Sequence, residues 1–157
     1  EVLSMNFEEV KNGFFARLGE SCYMVLATSY QDYPMRSMMT CLVFDGCIWM
    51  QTDKKFSKYQ QILNNNRVAL VKNAVQIEGR AEITGHPLEK QNEKFARLMK
   101  KYHPESYDMY SKVDSEVVIK VTPEKAIDWL YEAGSNEIHN IDFVNQKEEI
   151  QIYKNGK

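Results

Sequence analysis

Residues 22–85, CYMVLATSYQDYPMRSMMTCLVFDGCIWMQTDKKFSKYQQILNNNRVALVKNAVQIEGRAEITG, decide the fold. Short apolar and β-branched runs follow one another here, separated by turn residues, and a single short helical segment interrupts them. The run Tyr23–Ala27 is continuously apolar, which predicts a largely buried strand over 22–29. Tyr30–Pro34 reads as a loop, and Met35–Phe44 as a second strand. Asp45-Gly46 is the clearest two-residue hairpin signal and leads into a third strand over 47–52. Residues 57–63, closed by Asn64-Asn65-Asn66, form the short helix. Strands over 67–72 and 75–84 follow, with Asn73 at the turn. Gly79 inside the latter predicts a bulge or the close approach of another backbone.

Helices flank this block. Asn6 and Glu9 make a capping box for a helix over 7–18, whose stripe is Phe7, Val10, Phe14 and Leu18, and Gly19 ends it. Pro87 opens a helix to about Tyr102, with Leu88, Phe95, Leu98, Met99 and Tyr102 inward, and 104–112 reads as a shorter one. Strands are expected over 116–121 and 126–131, on either side of a Thr122-Pro123 kink. The expected architecture is mainly β, a β-barrel with peripheral helices. Residues 1–132 read as the barrel domain with its N-terminal helix. Residues 133–157 read as a C-terminal extension: a hairpin, a dimer arm or a loose tail.

A chain of 157 residues with 43% hydrophobic and 27% charged residues can bury an ordinary core without cross-links. Its net charge of −2 argues against a general nucleic-acid binder. No apolar stretch has membrane-spanning length, and EVLSMNFEEVKN does not read as a secretory signal. Three cysteines without a CxxC pair suggest neither a disulfide framework nor zinc, and a reducing cytoplasm is the expected location. If Asp45-Gly46 turns a hairpin, Cys41 falls opposite Met50 and does not meet Cys47.

A phosphomonoester is best held by a guanidinium, an ammonium and hydroxyl or backbone donors. Arg36 at a strand start, Thr52 at a strand end, and Ser57 and Lys58 at a helix opening supply that set. The same cations also read as a solvated rim. His86, His103 and His139 are scattered without ligand spacing, so no metal site is expected. Trp49 and Trp129 read first as packing residues, and Glu78 with Arg80 as a surface ion pair.

The order and spacing of the 22–85 segments resemble the FMN-binding split β-barrel family, of which pyridoxamine 5′-phosphate oxidase is a member. The resemblance implies that Arg36 reaches the flavin phosphate while Ser37, Met38 and Met39 run beside the ring. Gln51, Thr52, Lys54, Ser57 and Lys58 then complete the phosphate pocket. Gln76, in VQIEGRAEI, corresponds to a strand whose polar side chains approach the flavin; simple outward alternation is the other reading. The family further implies FMN as cofactor and a homodimer with the flavin at its interface. The activity implied is oxidoreductase action on a small organic acceptor, with no catalytic residue named. A non-catalytic flavin or haem binding or sensor protein is the alternative, with His139 the candidate haem ligand. Cys41 stands where the oxidase has a lysine, and no arginine follows Arg97, so the cations for a second phosphate are missing. The chain therefore resembles the smaller members, including the nitroimidazole-resistance type, more than the oxidase itself.

Overall fold

A computed structural model describes residues 6–154. Helix α1 (Phe7–Leu18) has the full Asn6–Glu9 capping box. There follow β1 (Ser21–Tyr30), β2 (Tyr33–Phe44), β3 (Cys47–Asp53), α2 (Ser57–Asn64), β4 (Arg67–Lys72) and β5 (Val75–Ile83). Helix α3 (Glu93–Tyr102) precedes β6 (Glu116–Trp129), β7 (Glu137–Asp142) and β8 (Lys147–Ile152). The antiparallel order is β3-β2-β1-β4-β5-β6-β7-β8, and β3 also pairs with β6, closing the first six strands into a barrel.

Closure follows from alternation. Met24 and Leu26 of β1, Met39 and Cys41 of β2, Ile48 and Met50 of β3, and Ile119 and Val121 of β6 all point inward. Val10, Phe14 and Leu18 of α1 join this core, and Phe14 meets Phe143 edge-on at 5.5 Å. A second cluster lies outside the barrel, where Phe95 and Met99 of α3 cover Leu42 and Val118. Strand β2 pairs with β3 from Leu42 to Phe44, and β3 pairs with β6 from Ile48 to Asp53. The earlier half of β2 pairs with β1 alone, so the barrel wall is split there.

Several expectations need correcting. The 30–34 loop is instead a two-residue turn, with Gln31 and Asp32 at φ 50° and 60°, the same conformation as Asp45-Gly46. Strand β1 is not buried on both faces: Tyr23 is 60% exposed and burial alternates. Helix α3 begins at Glu93, after a 3₁₀ turn, which leaves Leu88 exposed. Residues 104–111 form one helical turn running into a π turn. Strand β6 runs unbroken through Thr122-Pro123. An irregularity does lie beside the proline: opposite Glu78/Gly79 the register skips Glu124 of β6, and a Cβ on Gly79 would sit 2.6 Å from the Thr122 carbonyl oxygen. Arg80 does not pair with Glu78; it pairs with Glu124 at 2.9 Å instead. Cys41 lies across from Cys22, with both thiols buried and free. Of the readings for the tail, residues 137–152 form a hairpin that extends the sheet from β6.

Candidate functional site

Six adjacent strands put two transverse rows on one outer face. In the first row Met38, Val25, Val71, Gln76, Ile127 and Asn140 lie opposite one another in succession. In the second the succession is Arg36, Ala27, Ala69, Glu78, Lys125 and Asp142. The rows are two residues apart on every strand, so all these side chains project to the same side. The centre is floored by Val25, Ala27, Ala69 and Val71: small, apolar and flat. Arg36 and Met38 edge it on β2, Gln76 and Glu78 on β5, roughly 14 Å away at three strand spacings. Met38 is 68% and Val71 42% exposed, so this apolar platform is uncovered within the chain.

The predicted site residues divide between two faces. Arg36, Met38 and Gln76 belong to the platform. Arg36 enters none of the ion pairs among the described residues. Ser37 and Met39 project to the opposite side of β2, with Met39 in the core. Thr52 is also buried, opposite Val117. Gln51 faces outward, and its Oε1 accepts from the Ser111 hydroxyl at 2.8 Å. Lys54 and Ser57 are exposed. Among Arg36, Thr52 and Lys58 there is no direct hydrogen bond, so any convergence would be through a shared ligand.

Lys58, in the first turn of α2, has neighbours that sequence reasoning missed. Glu116 is buried and lies across from Asp53, and both interact with charged neighbours at the opening of α2. Burial first, then Asp53, pushes the Glu116 carboxyl up to about 7, against the opposing pull of Lys58. Burial lowers the Lys58 ammonium, and Glu116 opposes that. Asp53 stays below its ordinary value because the Lys55 N–H and the Ser115 hydroxyl donate to it. Helix α2 carries no side-chain N-cap and no acid in its first turn, an arrangement open to an anion. The sequence signal for Glu116 was present, a lone acid heading the apolar run VVIKV, but nothing local tied it to Lys58.

Other candidates resolve into packing. Trp49 stacks on Phe44 at 4.5 Å and donates to its carbonyl, and Trp129 lies 5.7 Å from Tyr153. His139 has Nε2 2.8 Å from Glu137 and Nδ1 3.4 Å from Glu148. Among the described residues no group of three metal-ligating side chains converges, and no helix is long and apolar enough to cross a membrane.

The closed six-stranded antiparallel barrel with its split wall places the chain in the split-barrel class. The family described as pyridoxamine 5′-phosphate oxidase matches residues 13–130, and the chain belongs to that family. No curated protein matches the sequence. Among solved structures, General Stress Protein 26 from Bacillus anthracis is 21% identical, covers 75% of this chain and 92% of its own, and gives a TM-score of 0.57. HutZ, the haem storage protein from Vibrio cholerae, is 13% identical over 76% of this chain and 92% of its own, with a TM-score of 0.59. A FAD-binding protein from Mesorhizobium loti is 14% identical over 66% of this chain and 82% of its own, with a TM-score of 0.53. At these identities the likeness is one of fold.

Proposed function

We propose that this protein is an FMN-dependent oxidoreductase that reduces a small organic acceptor, working as a homodimer with the flavin at the subunit interface. One observation carries the reading: an exposed apolar platform of β1 and β4 lies between an unpaired guanidinium, Arg36, and the carboxamide of Gln76. A flat aromatic ring needs such a floor, its polar edge suits a carboxamide, and its phosphate suits Arg36 with Lys58 and the open N-terminus of α2. When bound, the flavin would supply the electron transfer, while these residues hold and orient it. Val71, Met38 and Tyr23 remain exposed on this side, and a second copy would bury them. Pyridoxamine phosphate itself is disfavoured as substrate, because Cys41 is a buried thiol and its burial raises it further from ionisation.

A haem-binding role has HutZ behind it as a fold neighbour only. Both ring nitrogens of His139 already face carboxylates, so this histidine is poorly placed as an axial ligand. Absorbance of the purified protein separates the two readings: flavin bands are expected, and a Soret band would reverse the assignment. Arg36→Ala removes one charge-assisted contact and should weaken FMN by about 1.5–3 kcal/mol, one to two orders of magnitude in Kd. Equal FMN affinity in the variant would sink the phosphate assignment.

A further inference from the structure

We infer that Gln61 is a positioning residue for the phosphate end of the proposed flavin site, fixing the opening of α2 and its Lys58 against the hairpin that carries Arg36. The inference rests on the flavin reading and adds to it the device that makes two distant cations act together.

Helix α2 is poorly equipped to hold itself in place. It has eight residues, too few to be stable alone, and it lacks a side-chain N-cap. Lys58, Gln61, Ile62 and Asn65 form its inward stripe, and Ile62 is the one apolar side chain that the helix buries. Apolar contact has no direction, so a single isoleucine does not fix the rotation of a helix or its advance along its axis. Hydrogen bonds do so here. The Thr28 hydroxyl donates to Gln61 Oε1 at 2.5 Å, and Gln61 Nε2 donates to the Tyr33 carbonyl at 2.9 Å. At the far end of the helix, Asn65 Nδ2 donates to the Ser29 carbonyl at 2.9 Å. All three partners belong to the β1–β2 hairpin.

The same hairpin carries the guanidinium. Arg36 follows Tyr33 by three residues and lies opposite Ala27, the neighbour of Thr28. Lys58 precedes Gln61 by about one helical turn, on the same face of α2. Gln61 therefore ties the turn that bears Lys58 to the hairpin that bears Arg36. A residue kept for packing alone would not need a carboxamide. Gln61 and Thr28 are both buried, and burying two polar groups stabilises nothing unless they bond. Methionine would fill a similar volume without that demand. What glutamine adds is direction.

The test titrates the full chain with FMN and with riboflavin, which has the same ring and no phosphate, followed by flavin fluorescence. Gln61→Met should weaken FMN about tenfold and leave riboflavin within about twofold. Lys58→Ala should weaken FMN about tenfold in the wild type, but no more than about twofold in the Gln61→Met background, where the lysine is already displaced. The single Gln61 substitution strands the Thr28 hydroxyl. Thr28→Val combined with Gln61→Met removes both partners, should melt close to the wild type and should show the same selective loss. That double variant supplies the readout if the single one does not fold. Equal losses for FMN and riboflavin, or additive effects of Lys58→Ala and Gln61→Met, would make Gln61 a packing residue and overturn the inference. A wild type that binds neither ligand overturns the flavin reading and this inference with it. A wild type that prefers FMN, with the preference intact in Gln61→Met, overturns this inference alone.

Discussion

Strand β2 shows two treatments of one barrel surface. At its later end, Leu42 faces outward and is fully buried, because Phe95 and Met99 of α3 lie on it. Two and three outward positions earlier, Met38 and Arg36 project to the same side, and Met38 is 68% exposed. Alternation sets both directions equally, so periodicity does not explain the difference. The side chains do. The covered end has bulky partners, Leu42, Trp49 and Val118, that interlock with a helix. The bare end has alanines and valines that make a flat bed. The fold thus covers one apolar patch with its own helix and leaves the next uncovered within the chain, the patch to which the proposed flavin and second copy are assigned.

The largest effect expected from breaking this comparison is at the covered end. Met99→Ala should cost about 2–5 kcal/mol by opening a cavity beneath α3, lowering Tm by on the order of 10 °C. A melting shift of only a degree or two would mean that α3 is loosely held. A smaller effect sits at Glu116, opposite Asp53 at the end of β3. Its folded value of about 7 lies above the ordinary 4.5, so the folded chain holds this proton more tightly than the unfolded chain does. That contribution is full below about pH 4.5 and is lost as pH rises through about 7. Glu116→Gln should therefore match the wild type near pH 4.5 and melt a few degrees higher at pH 8. Parallel pH profiles for the two proteins would contradict the burial of this charge. The smallest effect belongs to the bare end: Met38→Ala should change monomer stability by no more than about 0.5 kcal/mol, read by denaturant unfolding. A loss like that at Met99 would show that the platform is structural.

The barrel was legible because its turns announce themselves. Asp45-Gly46 has the residue types that positive φ requires, and the neighbouring strands were placed correctly. Gln31-Asp32 adopts the same geometry with residues that do not advertise it, so a tight hairpin read as a loop. Gly79 pointed to a close backbone approach, and the Thr122 carbonyl is there. Its effect fell on register, and the expected kink beside Pro123 is a bulged residue, Glu124, within an otherwise continuous β6. The strands that carry Arg36 and Gln76 were legible, and the register puts both residues on one face. The coupling of Glu116 to Lys58 and Asp53 was not, because it joins β6 to β3 and α2 across 58 positions of chain. Nor was the pairing of Cys22 with Cys41, which depends on the unannounced turn between them.

Strand β6 serves two structures at once. Its first half closes the barrel against β3, and its second half carries the hairpin on the same edge, from Lys125 to Trp129. A protein shortened to residues 1–132 would lose Ile141 and Phe143 from the core and present those five ladder positions bare to water. Raw main-chain amides and carbonyls in a row recruit strands from other molecules. The hairpin therefore acts as a selvedge: it moves the free edge from β6 to β8, where Lys147, Glu148 and Glu149 are the charged kind of residue that discourages catching on neighbours.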